Sequence, residues 1–435
     1  MTTRVLAALI LVGSALLAWL AITYALVARA LQAVIAVSLV YVALLALRGY
    51  RAMRDARAVP AAAEEELPWV TILIAARNEA PVIGATVAAL ASQDYGGAAR
   101  RFDVLVVDDG STDGTGDLAR AAAVDAGAVQ VLRRDPADGP RTKAAVLSFA
   151  HASIHGEVIA VVDADANVAP DFVSGVMAAW RAALDAAAIQ AQRREHNRGQ
   201  GWLAAAQDEE GLMDMASQCG RYATDGTAEL RGNGMFVRRA ALEAVGGWNP
   251  GALTEDLELS TRLVAAGQRI ALAPLAEVGE EAVITLAALW RQRLRWAEGS
   301  LRRLLELGPG LVGGRDVPLA RKLDFLAFTT EFLIPPLFLT TIIASLATIP
   351  LPRPADWTVP VSLFLGYGLG SFLLALAGLA AHGESGATLL GRALRGALFL
   401  SHWLVIVPAA LLRIAFGKPA TAFVQTPRMG HLSNR

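Results

Sequence analysis

The chain has 435 residues, of which 54% are hydrophobic and 18% charged, and its formal net charge is −1. That balance leaves no electrostatic footprint for nucleic acid, while a mean hydropathy above zero is too apolar for a purely soluble enzyme. The single cysteine, Cys219, excludes an internal disulfide and a cysteine-based zinc site and is expected to be a small structural residue; the scattered histidines form no HExxH pattern.

Val5–Tyr24 and Ala30–Leu47 are uncharged runs long enough, or nearly so, to span a bilayer. Residues 1–54 therefore read as a transmembrane hairpin. The basic stretch Arg48, Arg51, Arg54 and Arg57 behind it belongs on the cytoplasmic side by the positive-inside rule. Residues 55–67, with Glu64–Glu66, read as a linker. From Pro68 strands and helices alternate with short links, over 68–288. Strands are expected at Trp69–Ala76, Phe102–Val107, Val129–Arg133 and Val158–Val162, and helices at Pro81–Ser92, Thr112–Ala126 and Thr142–His151. This is the pattern of a mostly parallel sheet covered on both faces. Residues 289–322 open with the basic amphipathic stretch LWRQRLRWAEGSLRR, expected to lie at the membrane interface. Three more apolar runs follow within 323–416: Phe325–Ile349, Val359–Ala380 and Ala397–Leu412. Three full spans would leave Lys418, Arg428 and Arg435 of the tail, 417–435, outside, against the positive-inside rule, so one run is expected to be re-entrant or interfacial. Glu331 lies inside the first run, where an acid is costly and faces protein or an aqueous cavity.

Carboxylates fall at the ends of two expected strands, Asp108-Asp109 and Asp163-Ala164-Asp165. Parallel sheets bind ligands at that edge. Asp163 and Asp165 point the same way in an extended chain and can converge on Mg2+ or Mn2+, whose shell phosphate oxygens complete. Lys143 opens a helix where an anion meets both an ammonium and a helix N-terminus. The Rossmann fingerprint and the Walker loop are both missing from the sequence, so a phosphate is handled by metal and side chains. Gly232 and Gly234 flank Asn233 and allow close approach of a substrate, or simply a tight turn. Thr254-Glu255-Asp256 reads either as an ordinary helix cap or as a catalytic carboxylate. Gln292, Arg293, Arg295 and Trp296 suit a diphosphate and an acceptor, because Arg donates in pairs and Trp offers an apolar face.

ARNE, VVDDGSTDGT, DAD, GNGMFVRR, LTED and QRLRW occur in an order that resembles membrane-integrated family-2 glycosyltransferases. The resemblance covers about Val70 to Arg303. It implies an α/β GT-A domain flanked by transmembrane helices, a UDP-sugar donor, a divalent metal and inversion at the anomeric carbon. By the resemblance, Arg77, Glu79 and Asp108 hold the nucleotide, with Asp109 in support. Lys143 meets the diphosphate, and Asp163 and Asp165 serve it and its metal. Asp256 is the general base. Gln292, Arg295 and Trp296 close over the diphosphate and the acceptor. Arg293 fills the variable place of that motif, and Glu255 is assigned to the acceptor side. The stretches ELRGNGMFVRRAAL, GGWN, LTEDLEL and ALWRQRLRWAEG look like those of family members that glucosylate a membrane lipid. They imply transfer from UDP-glucose to the hydroxyl of 1,2-diacylglycerol, by a plasma-membrane enzyme with a cytoplasmic catalytic domain. The alternatives are a processive polysaccharide synthase, disfavoured by the small number of apolar runs, and a silent nucleotide-sugar-binding protein, disfavoured because every expected acid is present. A transporter leaves the α/β sequence unexplained.

Overall fold

The computed structural model describes residues 2–56, 67–123, 128–351 and 357–417. Arg57, the Glu64–Glu66 part of the expected linker, and the tail from Lys418 with Arg428 and Arg435 lie outside the described residues. Two apolar helices come first, α1 (Thr3–Thr23) and α2 (Ala25–Asp55). The α/β region follows as β1 (Val70–Ala76), α3 (Ile83–Ala91), β2 (Phe102–Asp108), α4 (Thr115–Ala122), β3 (Val129–Arg133), α5 (Lys143–Ala150) and β4 (Val158–Asp163). It continues through β5 (Asn167–Val168), α6 (Phe172–Arg181), β6 (Ala186–Glu195), α7 (Trp202–Ala223), β7 (Met235–Arg238), α8 (Arg239–Ala244), α9 (Glu255–Ala265) and β8 (Arg269–Glu280). The rest is helical: α10 (Leu286–Gly313), α11 (Leu319–Thr348), α12 (Thr358–Ala381), α13 (Gly386–Leu400) and α14 (Trp403–Phe416).

The strands form one sheet in the order β3-β2-β1-β4-β7-β6-β8-β5. β3, β2, β1 and β4 run parallel, and β7 pairs antiparallel with both β4 and β6. Successive strand residues enter opposite apolar layers, as the pleat requires. Ile72, Ile74, Val104 and Val162 join one cluster, while Leu73, Leu105, Ile159 and Val161 join the other. Burial on both faces explains why these strands read as continuous Val/Ile/Leu runs. The register sets Ala75 beside Asp163 and Ala76 beside Asp108, so the carboxyl ends of β1, β2 and β4 are level.

Among the described residues, five segments are long and apolar enough to cross a membrane: α1, α2, α11, α12 and the stretch Gly386–Phe416. That last stretch is not one helix. It turns at Ser401-His402 into α13, of 15 residues, and α14, of 14. At 1.5 Å per residue each is about 22 Å long, short of a hydrocarbon core of roughly 30 Å. The reason for the turn is polar. Arg392 Nε and Arg395 Nε lie 3.0 and 2.9 Å from the buried Glu209 of α7, which draws α13 along the α/β region. Arg4 Nη2 meets the Gly417 carbonyl at 3.1 Å and Thr3 Oγ1 meets Glu306 at 3.0 Å, so the two ends of the described chain sit together beside α10.

Helix α7 packs against α2, α12 and α13 and is the seam between the sheet and the apolar helices. Small residues make the seam tight. A Cβ on Gly49 of α2 would overlap the Ala216 carbonyl of α7, and one on Gly220 of α7 would overlap the Leu45 carbonyl of α2. The two backbones therefore touch. Cys219 is buried in this seam, where burial pushes its thiol up and keeps it a small apolar residue.

Candidate active site

The site is built on the level strand ends. Lys143 Nζ, at the first position of α5, lies 2.5 Å from Asp163 Oδ1, 3.4 Å from Glu255 Oε1 and 3.3 Å from the Gly232 carbonyl. Thr142 caps that helix, accepting from the Ala145 N–H at 3.1 Å. Burial works to lower the Lys143 pKa, but Asp163 and Glu255 outweigh it and raise it, so Lys143 is a fixed cation. The Asp163 N–H donates to Asn233 Oδ1 at 3.1 Å, and Asp165 accepts the Glu281 N–H at 3.2 Å.

Asp256 enters from the first turn of α9. Gly232 has φ +80°, and a Cβ there would come within 3.3 Å of Asp256 Oδ2. Glycine keeps the space in front of this carboxylate open. Burial pushes both Asp256 and Glu255 above the ordinary carboxylate range. Thr254 stands at the N-cap position, but its side chain makes no capping hydrogen bond. The capping expectation therefore fails for Thr254.

Helix α10 covers the site, its start capped by Thr285, which accepts from the Ala288 N–H at 3.2 Å. Gln292, Arg295 and Trp296 share one face, as i, i+3 and i+4 must. Burial lowers Arg295, against the pull of Glu255 and Asp256. Arg293 is held differently. Its Nη2 meets Glu210 at 2.5 Å, and its guanidinium lies 4.3 Å from the Trp296 ring centroid and 5.6 Å from that of Trp403. Glu210 also accepts the Trp403 Nε1–H at 3.0 Å. Arg293 is thereby tied to α7 and α14 and positions Trp296.

On the other side, Asp109 is bound by the buried Arg134 and lies 3.8 Å from Arg77. Asp108 differs from the rest of the expected set. It is fully buried, and its carboxylate meets the Ser111 N–H at 2.9 Å and Arg133 at 3.1 Å. It shapes the loop behind the site instead of facing it.

One cavity of about 1190 Å³ is lined by Arg77, Glu79, Asp109, Lys143, Asp163, Asp165, Glu255, Asp256, Gln292, Arg293, Arg295 and Trp296, and not by Asp108. It continues past Asp256 between the apolar helices, where Ile35, Leu39, Leu337 and Leu363 form its walls. The sequence-based expectation missed Asn233, Arg134 and Glu210. A GNG turn marks Asn233, but the ionic partners Arg134 and Glu210 carry no motif.

Residues 68–299 match the model of a family described as "Glycosyltransferase like family 2". The chain belongs to glycosyltransferase family 2. This glycosyltransferase is 34% identical over 380 residues to a beta-monoglucosyldiacylglycerol synthase of Synechocystis sp., covering 86% of this chain and 76% of that protein. It is 27% identical over 246 residues to a poly-beta-1,6-N-acetyl-D-glucosamine synthase of Staphylococcus aureus, covering 55% of this chain and 57% of that protein. A mannosyltransferase of Pyrobaculum calidifontis, solved in complex with GDP-Man and Mn2+, superposes with a TM-score of 0.58 at 21% identity over 89% of this chain and 100% of that one. The glycosyltransferase thus has the GT-A fold, with candidate membrane spans flanking it.

The donor set of the glycosyltransferase fits a hard divalent ion. Asp163 and Asp165 present carboxylate oxygens at the end of β4, and no group of three or more His, Cys, Asp or Glu suited to a metal occurs among the described residues. Two carboxylates with phosphate oxygens completing the shell is the donor pattern of Mg2+ and Mn2+.

Proposed function

We propose that this enzyme transfers a hexose, glucose, from a UDP-sugar to the free hydroxyl of 1,2-diacylglycerol at the membrane face, with inversion. The observation that carries this reading is one continuous cavity, which joins the Asp163/Asp165 end, the Asp256 carboxylate and a cleft between apolar helices. A soluble acceptor needs no such cleft, whereas a two-tailed lipid does. The name of the Synechocystis relative agrees with it.

In this reading Arg77, Glu79 and Asp109 hold the nucleotide, with Asp108 supporting their loop from behind. Asp163 and Asp165 hold Mg2+ or Mn2+, which when bound stabilises the charge that grows on the departing diphosphate. Lys143 and Arg295 add fixed positive charge beside it, and Gln292 closes over it. A lipid hydroxyl is a poor nucleophile, so Asp256 takes its proton as it attacks. Glu255 and Trp296 flank the acceptor. Attack opposite the leaving group turns an α-linked donor into a β-linked product. The basic residues Arg48, Arg51 and Arg54 at the end of α2 support a cytoplasmic GT-A region by the positive-inside rule.

The test is direct. The purified full-length protein in detergent with lipid is incubated with diacylglycerol, Mg2+ and each common UDP-sugar, and the organic phase is analysed by mass spectrometry. One hexose added to diacylglycerol, dependent on Asp256, is the expected result. A water-soluble ladder of rising mass with no glycolipid overturns it in favour of a polymer synthase.

A further inference from the structure

Two acids of α11 line the cavity, and the structure treats them oppositely. Asp324 is saturated. It accepts from Tyr41 Oη at 2.5 Å, from Arg221 Nε at 3.1 Å, and from the Thr227 N–H and Oγ1 at 2.7 and 2.6 Å. Glu331 lies seven residues on, on the same face of the helix and about 10 Å farther along its axis at 1.5 Å per residue. Its carboxylate has no hydrogen-bond or ion-pair partner among the described residues. Glu331 is exposed, and it borders the cavity. The cations in electrostatic range, Arg221 and Arg231, are already engaged. Arg221 serves Asp324, and Arg231 serves Asp214 at 2.8 Å and Glu229 at 3.0 Å.

An unpartnered acid at membrane depth is expensive, and a structural role would leave it paired, as Asp324 is. What fits it is a donor brought by the ligand. Resting on the reading that a lipid occupies this cavity, we propose that Glu331 is a specificity-determining residue. Its carboxylate accepts a hydrogen bond from a second O–H or N–H on the acceptor lipid, distinct from the hydroxyl that reacts. The geometry separates the two groups. The reacting hydroxyl meets Asp256 at the GT-A end, and Glu331 stands on a span on the apolar side, where the first carbons of the tails or their linkages lie. Plain diacylglycerol has one hydroxyl and no further donor. The substrate class this site favours therefore carries another donor close to the head, as a hydroxylated acyl chain or an amide linkage does.

The experiment compares matched acceptors with the full-length enzyme in detergent and lipid. The pair is dioleoylglycerol and its analogue with a hydroxyl on the second carbon of one acyl chain. An amide-linked analogue serves as a further member. The wild type is expected to show kcat/KM at least about tenfold higher for the donor-bearing lipid, the scale of one hydrogen bond to a charged group. In Glu331→Leu that ratio falls toward one, and in Glu331→Gln, whose amide oxygen still accepts, part of it returns. UDP affinity reports that each variant is folded. Equal kcat/KM for all acceptors in the wild type, or a preference that survives Glu331→Leu, overturns the proposal while leaving the lipid reading intact. If no acceptor yields a glycolipid, the lipid reading itself falls and the proposal with it.

Discussion

Lys143 and Asp163 are joined at 2.5 Å, and the same ammonium reaches Glu255 at 3.4 Å. One cation thus ties the end of β4 to the start of α9, two elements far apart in sequence. It holds the Asp163 carboxylate and the start of α9 at a fixed separation before any ligand arrives. Lys143→Met is expected to weaken UDP binding and slow transfer together, since it removes the charge proposed to meet the diphosphate and loosens both carboxylates. Calorimetric UDP titration and initial rates check this; a change in one without the other argues against a shared role.

Asp256→Asn keeps the shape of the site and removes the proposed base. Its kcat should drop by about 10²–10⁴-fold, the usual worth of a general base, while UDP affinity stays near wild type. Substantial turnover in this variant would remove Asp256 from the mechanism.

The pH profile follows from burial. Asp256 must be ionised to accept a proton, and burial raises its pKa. Activity should therefore rise with pH along an acidic limb lying above about 3.9, the ordinary aspartate value. Lys143 favours the ionised form, so its removal should carry the limb of kcat/KM to higher pH. A limb that stays put, or moves to lower pH, contradicts the assignment.

Asp165→Ala should abolish the part of UDP affinity that depends on Mg2+ or Mn2+. In the wild type, chelation by EDTA is expected to weaken UDP binding; in the variant, EDTA should change nothing. Equal metal dependence in both would show that the ion sits elsewhere.

Glu229 is a buried structural anchor. It pairs with Arg303 at 2.5 Å and Arg231 at 3.0 Å. Burial pushes its pKa up, but those arginines outweigh it and hold it well below the usual range. Its stabilising contribution is therefore complete above the unfolded value, about 4.3, and is lost as pH falls toward the depressed folded one. Glu229→Gln leaves Arg303 uncompensated and should cost about 3–5 kcal/mol. Thermal unfolding in detergent at neutral pH measures it, and Glu229→Gln with Arg303→Met should recover part of the loss.

Much of the sheet was legible because its strands are buried on both faces and end in acids, which punctuate an apolar run visibly. Val158–Val162 with Asp163 and Asp165 is the plainest example. The glycines at 232 and 234 were legible as a turn, and the structure gives them φ of +80° and +70°. What stayed hidden is held by distant charge. Glu209 and Glu210 make α7 look like a solvated helix, yet Glu209 is fully buried and satisfied by Arg392 and Arg395, and Glu210 by Arg293. The same pairs explain why the run Ala397–Leu412 spans two helices. Nothing at Ser401-His402 signals a turn, because the force that bends the chain there comes from α7. The Asp108 carboxylate was legible as an acid at a strand end, but its burial behind the loop depends on Arg133, which no local pattern reveals.

The backbone contact at Gly49 and Gly220 makes α2 a mast for the enzyme. Its 31 residues are about 46 Å long at 1.5 Å per residue, some 15 Å more than a hydrocarbon core of roughly 30 Å. The surplus is clamped to α7, backbone against backbone at Gly49 and Gly220, with Met53, Met215 and Cys219 packed beside that contact. The distance of the candidate site from the far end of α2 is thereby a constant of the fold. Under the proposed lipid reading, an acceptor needs only to rise to that fixed level, its tails still among lipid, and the enzyme would work as a bench set at the depth of its substrate.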